Sequence, residues 1–123
     1  MDYVRLERAV VDFARILPQE PQWTAISSID GVFMRQYPTH LEGEHIAALT
    51  HSNMMQGQHL LHELDNGPFR YSINAGVKGI TFILLMSDSH LLTLNYTEVR
   101  SIDAILASAE INLPTLLQAL KDL

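Results

Sequence analysis

An octapeptide near the start of the chain decides the fold, Ala25-Ile26-Ser27-Ser28-Ile29-Asp30-Gly31-Val32. Apolar residues on both sides of an Asp-Gly dipeptide are the strongest short-range signal of a β-hairpin. A type I′ turn requires positive φ at both central residues, and aspartate and glycine tolerate that conformation. The octapeptide therefore predicts a type I′ turn that joins two antiparallel strands, Gln22–Ile29 and Val32–Tyr37.

A helix is expected on each side of this hairpin. Before it, apolar residues recur at three- and four-residue spacing over Asp2–Leu17, and two prolines follow. After it, the same periodicity predicts a helix from His40 to about Leu64, with Thr39 and Glu42 as a capping box. The large apolar residues of this second helix are Ile46, Leu49, Leu60, Leu61 and Leu64.

Three strands and a last helix complete the prediction. Phe69–Ala75 and His90–Tyr96 carry apolar residues at alternate positions, whereas Ile80–Met86 is apolar in both alternate sets, as in a strand covered on both faces. Glu98–Leu123 is expected to be helical with a break near Pro114. The order α-ββ-α-βββ-α predicts one α+β domain over residues 1–123, with an antiparallel sheet and helices on both faces.

The composition excludes several classes of function. The 123-residue chain has 14 acidic and 8 basic residues, and its net charge of −6 argues against nucleic-acid binding. It has no cysteine, which excludes disulfides, thiol catalysis and cysteine-ligated metals. No signal peptide is visible and no apolar stretch approaches the roughly 20 residues of a membrane span, so a cytoplasmic protein without membrane insertion is expected. Charged residues make up 18 %, against about 25 % in average domains, which indicates an extra buried face.

No pattern in the sequence points to catalysis. Gly76-Val77-Lys78-Gly79 lacks the P-loop spacing and joins two predicted strands, so no nucleotide site is expected. A G-x-S-x-G elbow for a nucleophilic serine is missing. Five histidines lie on the second helix, and His59 and His62 share a face, but the H-E-x-x-H metal motif is absent. We therefore expect no catalytic residue, no metal and no cofactor.

Two elements suggest surfaces that a second chain covers. Gly57 interrupts the second helix at a cost of about 1 kcal/mol against alanine, which favours the close approach of another backbone. Met54 and Met55 are adjacent and cannot both face the core. If Phe69–Ala75 lies at the sheet edge, its free N–H and C=O groups can accept another strand. The alternative, that Gly57 is a tolerated irregularity and both methionines fill core gaps, stays open.

The whole pattern resembles the Roadblock family, the dynein light-chain-like domain also found as a small bacterial and archaeal GTPase partner. The resemblance covers roughly Arg5–Asp122 and rests on the order of elements and on three short motifs. These are the hairpin at 25–32, the helix segment Glu44-His45-Ile46-Ala47-Ala48-Leu49, and the closing hairpin from Ile83-Leu84-Leu85-Met86 to Leu91-Leu92-Thr93-Leu94.

The resemblance implies a sheet of order 2-1-5-4-3 and a homodimer in which third strands pair and second helices pack together. The dimer interface implied is Met54, Gly57, Leu61, Tyr71 and Ile73. The resemblance also implies a non-enzymatic adaptor or regulator that binds a Ras-like small GTPase, as a scaffold or an activator. The partner-binding residues expected on the paired second helices are His51, Met55, His59 and His62.

Two other functions remain open from the sequence. A small-ligand sensor of PAS or profilin-like architecture uses similar layers and needs an internal pocket between sheet and helix. A weak hydrolase or metal site would depend on the helix histidines, His59 and His62 above all.

Overall fold

The computed structural model describes residues 3–38 and 42–123, and over these residues the order of elements is α-ββ-α-βββ-α, as predicted. The helices are α1 (Tyr3–Ile16), α2 (Gly43–Glu63) and α3 (Ile102–Lys121). The strands are β1 (Trp23–Ser28), β2 (Phe33–Tyr37), β3 (Tyr71–Ala75), β4 (Ile80–Ser87) and β5 (His90–Tyr96).

The strands form one antiparallel sheet in the order β2-β1-β5-β4-β3, which confirms the order that the resemblance implied. β5 lies at the centre, and β2 and β3 are the two edges. Gly76 N–H donates to the Gly79 carbonyl at 2.8 Å, so a tight turn joins β3 to β4 where the sequence predicts one.

Helices cover both faces of the sheet. α1 and α3 pack together over one face and its larger core, where Phe82 and Tyr96 meet edge to face with ring centroids 5.7 Å apart. α2 lies over the other face. The smaller core beneath α2 consists of Met54, Phe69, Ile83 and Leu91. Because β4 supplies alternate residues to the two cores, its sequence is apolar at every position from Phe82 to Met86.

The β1–β2 hairpin forms, but the prediction of a type I′ turn is wrong. Gly31 has a positive φ of 88°, whereas Asp30 is not in the positive-φ region. The Ser28 carbonyl accepts a hydrogen bond from Gly31 N–H at 3.0 Å, and Ser28 N–H donates to the Val32 carbonyl at 2.8 Å. The adjoining ladder also shifts register. The loop is thus a turn followed by one left-handed glycine, which needs positive φ at a single residue.

Packing against β2 fixes the start of α2. Thr39 and His40, where the capping box and the first residue were predicted, lie outside the described residues. Glu42 is the N-cap, and its side chain makes no capping hydrogen bond. A Cβ on Gly43 would lie 2.5 Å from the Phe33 ring, so glycine allows the first turn to sit directly on that ring.

The predicted break in the last helix is wrong, because α3 continues through Pro114 to Lys121. Ser101 caps its start by accepting a hydrogen bond from Ala104 N–H at 3.2 Å. Pro114 cannot donate to the carbonyl four residues earlier, but its side chain is exposed. Buried residues on both sides of the proline hold the helix against the larger core: Ile105, Ala109, Leu116 and Leu120.

Candidate protein interaction site

β3 is an edge strand with an open outer side. Among the residues that the structure describes, it pairs only with β4. Two hydrogen bonds show which residue pairs of β3 and β4 are hydrogen-bonded: Leu85 N–H donates to the Arg70 carbonyl (2.9 Å), and Gly76 N–H donates to the Gly79 carbonyl (2.8 Å). Because hydrogen-bonded and non-hydrogen-bonded pairs alternate, every second residue directs its N–H and C=O away from β4. The residues with outward backbone groups are Tyr71, Ile73 and Ala75.

Three rows of residues on α2 bear on its contacts, and each row forms one side because residues three or four apart share a face of a helix. The first side is buried on the sheet and consists of Gly43, Ala47, Thr50 and Met54. The second side, which we call the apolar flank, consists of Leu49, Leu60 and the C-cap residue Leu64, exposed at 54, 59 and 60 %. The third side, the histidine flank, consists of His51, Met55, His59 and His62.

The apolar flank faces the β3 edge. Asn53 lies in the same row of α2 as the three leucines and joins this row to the strand. Asn53 Nδ2 donates to Asn74 Oδ1 at 3.0 Å, and Ser72 Oγ donates to Asn53 Oδ1 at 2.7 Å. The exposed leucines and the open strand edge therefore lie on the same side of the molecule.

Sequence reasoning did not single out the apolar flank as a contact surface. Leu49, Leu60 and Leu64 belong to the periodicity that predicted α2, and that periodicity does not say which apolar row faces the sheet. The signal that could have found them is an excess: α2 has more apolar rows than one buried side needs.

Three of the five residues predicted at the dimer interface lie on α2, and one of them needs correction. Met54 is 1 % exposed and belongs to the smaller core, so its side chain is not available to a partner. Leu61 packs, partly buried, against the same core. A Cβ on Gly57 would lie 3.3 Å from the Phe69 ring. A ring of the same chain therefore accounts for this glycine without a second backbone.

The other two lie on β3. Tyr71 is 38 % exposed, and the guanidinium carbon of Arg70 lies 5.8 Å from the centroid of its ring. Arg70 Nη2 in turn donates to Glu110 Oε1 on α3 at 2.9 Å. Ile73 turns its side chain toward the larger core, while its backbone groups face outward. Their part in a dimer stays a prediction.

Three of the four predicted partner-binding residues line one groove. Met55, His59 and His62 form one wall, and Asp65 and Pro68 belong to the same groove, which has a volume of about 570 Å³. Met55 is half exposed, at 49 %. Of the adjacent methionines, one is therefore buried and one lies at the surface, as their spacing required.

His51 does not line this groove but ties α2 to the β1–β2 hairpin. Its Nδ1 lies 2.6 Å from the Ile29 carbonyl oxygen. Because a carbonyl only accepts, Nδ1 carries the proton and donates. A Cβ on Gly31 would lie 3.3 Å from the His51 Cβ, so the ring sits directly on the left-handed glycine. The hairpin loop is thereby fixed beside the histidine flank.

The described part of the chain holds no further cluster of side chains typical of a metal or catalytic site. Within residues 3–38 and 42–123, no group of three or more His, Asp or Glu side chains could hold a metal ion. Burial lowers the pKa of His90 and raises the pKa of Tyr96, whose hydroxyl donates to the Gln19 carbonyl at 2.8 Å. In the part of the chain that the structure describes, no helix is long and apolar enough to cross a membrane.

The cavity between α2 and the sheet has a volume of about 230 Å³ and is lined by Trp23, Leu49, Asn53 and Thr81, among others. Ligand pockets typically measure about 300–1,000 Å³. A groove of about 500 Å³ also runs between α1 and α3, but it lies outside the sheet–helix layer that a sensor of this architecture would use. No observation therefore favours the ligand-sensor alternative.

Comparison with known proteins identifies the fold. No family model and no curated protein matches the chain. A solved structure described as MglB with tetrameric arrangement matches with a TM-score of 0.81 at 15 % identity, covering 98 % of this chain and 90 % of the other. The Roadblock/LC7 domain from Streptomyces avermitilis matches with a TM-score of 0.81 at 13 % identity, covering 94 % and 97 %. The gliding protein MglB from Thermus thermophilus matches with a TM-score of 0.80 at 14 % identity, covering 98 % and 92 %.

These matches span nearly the whole chain, and they define the class of protein by its architecture: a five-stranded antiparallel sheet with helices on both faces. The particular fold is that of the Roadblock/LC7 domain. The resemblance drawn from the sequence is thus confirmed at the level of the fold.

Proposed function

We propose that the protein is a non-enzymatic, homodimeric cytoplasmic adaptor that binds and regulates a Ras-like small GTPase. The observation that carries the proposal is the position of two exposed surfaces on one side of the molecule. One is the open β3 edge, with backbone groups that can pair with another strand, and the other is the apolar flank of α2. A second copy covers both surfaces at once. The shortage of charged residues, 18 % of the chain, agrees with such a hidden face.

The pairing follows from the outward groups of β3. An antiparallel pair centred on Ile73 sets Tyr71 opposite Ala75 of the partner, and each of the three residue pairs exchanges two hydrogen bonds. Registers shifted by two residues form fewer such pairs within the strand. A two-fold axis normal to the sheet, between Ile73 and the partner's Ile73, makes one continuous sheet from two and places both α2 helices on the same face.

We call the junction between the two paired β3 strands the seam. The two α2 helices lie antiparallel beside this seam, with their apolar flanks toward each other. Leu49 and Leu60 lie on either side of Asn53, so antiparallel packing brings Leu49 near Leu60 of the partner. Burying these leucines removes apolar surface from water at about 25 cal/mol per Å². Self-association has a precedent in this fold, because one MglB neighbour has a tetrameric arrangement.

The histidine flanks remain exposed in this dimer and form the surface for the GTPase. Met55, His59 and His62 supply a partly apolar, polar-rimmed groove of the kind that suits a non-obligate partner. The GTPase part of the proposal is supported by the resemblance to the Roadblock family and by the fold shared with MglB. The adaptor would act by favouring one conformation of the switch loops, while the hydrolytic chemistry stays with the Mg²⁺ and P-loop of the GTPase.

The dimer is tested by a substitution that affects only the outer edge. Ala75 is exposed, and its N–H faces away from β4, so Ala75→Pro leaves the ladder inside the protomer intact. We expect sedimentation velocity to show a dimer for the native chain and a monomer for Ala75→Pro, with the same far-UV circular dichroism. A native chain that stays monomeric at millimolar concentration would contradict the proposal.

The GTPase is tested separately, with the Ras-like GTPases of the same genome. We expect the native dimer to bind one of them and to change its rate of GTP hydrolysis. A dimer that neither binds nor affects any of these GTPases would refute the regulatory function and leave the dimer standing.

A further inference from the structure

The polar contact between α2 and β3 is incomplete in one copy. Asn53 uses both ends of its amide: Nδ2 donates to Asn74 Oδ1 at 3.0 Å, and Oδ1 accepts from Ser72 Oγ at 2.7 Å. The other two side chains are only half satisfied. Among the described residues, the amide N–H groups of Asn74 have no acceptor, and the hydroxyl oxygen of Ser72 has no donor.

The proposed strand pairing brings these two unused groups together. In the register centred on Ile73, Ser72 stands directly opposite the partner's Asn74, and by symmetry Asn74 stands opposite the partner's Ser72. Both form non-hydrogen-bonded backbone pairs across the seam, in which Cα atoms lie about 4.5 Å apart and side chains approach most closely. Both also lie on the α2 face of the sheet, because Asn53 reaches them from α2.

We infer that six side chains, Asn53, Ser72 and Asn74 from each copy, close a ring of hydrogen bonds across the seam; the ring rests on the homodimer proposed above. Asn53 donates to Asn74, and Asn74 donates to the partner's Ser72. The partner's Ser72 donates to the partner's Asn53, and the same three steps lead back to the first copy. Each of the six side chains then donates one hydrogen bond and accepts one, and the two contacts in each copy already have the required direction.

The ring specifies the register and the partner. A shift of two residues in either direction keeps the same faces together but sets Ser72 against Ser72, or Asn74 against Asn74. In either case the free amide of Asn74 no longer faces the free hydroxyl oxygen of the partner's Ser72, and the ring stays open. A foreign edge strand without this Ser-x-Asn spacing leaves the same groups unpaired beside a newly buried seam. The occupant that fits this edge is therefore a second copy of the chain.

The role of the Ser72 hydroxyl is tested by two variants whose side chains are nearly isosteric with each other. Ser72→Thr retains the hydroxyl, and Ser72→Val replaces it with a methyl group in a side chain of the same shape. We expect Ser72→Thr to dimerise within about threefold of the native chain, and Ser72→Val to have a dimer Kd roughly 10- to 100-fold higher, because each dimer loses the hydrogen bonds of two hydroxyls. Thr115→Val, on the exposed surface of α3, is the control for the same chemical change away from the seam.

A second measurement reads the register directly. The native chain has no cysteine, so engineered thiols give unambiguous cross-links. Tyr71 and Ala75 are both exposed and stand opposite each other only in the Ile73-centred register. We expect a disulfide when Tyr71→Cys and Ala75→Cys chains are mixed, and none with either variant alone.

Three results would overturn the ring. If Ser72→Val dimerises as tightly as Ser72→Thr, or if the mixed cysteine variants form dimers that give no cross-link, the ring is wrong while the proposed dimer stands. If the native chain shows no dimer at all, the ring falls together with the dimer. Sedimentation of the native chain therefore separates failure of the ring from failure of the proposed function.

Discussion

The two exposed flanks of α2 differ in the contacts they can make, although they share one helix. The apolar flank carries Leu49, Leu60 and Leu64 and faces an open strand edge that needs hydrogen bonds. The histidine flank combines imidazole side chains with the half-exposed Met55, and it borders an open groove and a hairpin fixed by His51. The first flank suits permanent burial and the second suits a partner that binds and dissociates. In the proposed dimer, one helix would thus separate self-assembly from partner binding by placing them on two different sides.

The largest expected effect comes from placing a charge on the apolar flank. We expect Leu60→Glu to raise the dimer Kd by at least 100-fold, because two carboxylates would lose water in the seam, one from each copy. Analytical ultracentrifugation across a range of concentrations measures the change.

The matched control is Val4→Glu, because Val4 is an exposed aliphatic residue at 78 % on α1, which packs against β2 at the opposite edge of the sheet. It should leave the dimer unchanged. Equal dimer affinities for the two glutamate variants would remove the distinction between the apolar flank and the rest of the surface.

The next largest effect belongs to the buried side between the flanks. Met54 is fully buried in the cluster with Phe69, Ile83 and Leu91, so Met54→Ala should lower the free energy of unfolding by about 2–5 kcal/mol. Chemical denaturation measures the loss, once at a protein concentration well above the dimer Kd and once far below it.

If Met54 contacted a partner, its truncation would act chiefly on the dimer and little on the unfolding of the diluted protomer. The packing predicts the reverse, a loss of stability that persists at the lowest concentration.

The burial of Met54 shows where sequence reasoning reached its limit. Periodicity located α2, and the Asp-Gly dipeptide located the hairpin, because both patterns are local. Which row of α2 is buried depends on the sheet face beneath the helix. This face contains polar residues such as Ser27 and Thr93. A helix approaches such a face closely through small residues, and Gly43, Ala47 and Thr50 occupy that side while the leucines point away.

The continuous helix at Pro114 and the single left-handed residue at Gly31 have the same explanation. Proline weakens a helix locally, but burial of Ala109 and Leu116 on either side keeps α3 intact. The β1–β2 loop could close with one positive φ instead of two because the ladder shifts register beside it. In both places tertiary packing decided between local conformations that the sequence left close in energy.

A smaller effect is expected on the histidine flank. Met55→Glu places a charge on the wall of the groove, and we expect it to weaken binding of the GTPase by roughly tenfold, or about 1.4 kcal/mol, while the dimer stays intact. Isothermal titration with the GTPase measures the affinity, and sedimentation of the same sample confirms the dimer.

Loss of the dimer in Met55→Glu, with Leu60→Glu still dimeric, would exchange the roles of the two flanks. His51 offers a further contrast, because His51→Gln should act through the hairpin it holds and not through the groove.

The smallest effect is expected at Gly57, on the border between the buried side and the apolar flank. Gly57→Ala gains about 1 kcal/mol of helix propensity, but its Cβ would stand 3.3 Å from the Phe69 ring, which must shift by a few tenths of an ångström. The two contributions oppose each other, so the free energy of unfolding should change by less than about 1 kcal/mol. Ser52→Ala, at an exposed position of α2, measures a gain in helix propensity without a close contact to the Phe69 ring. Because the neighbour of Gly57 is a ring of its own chain, the dimer Kd should stay the same. A dimer weakened tenfold by this one methyl group would mean that a second backbone packs on Gly57 after all.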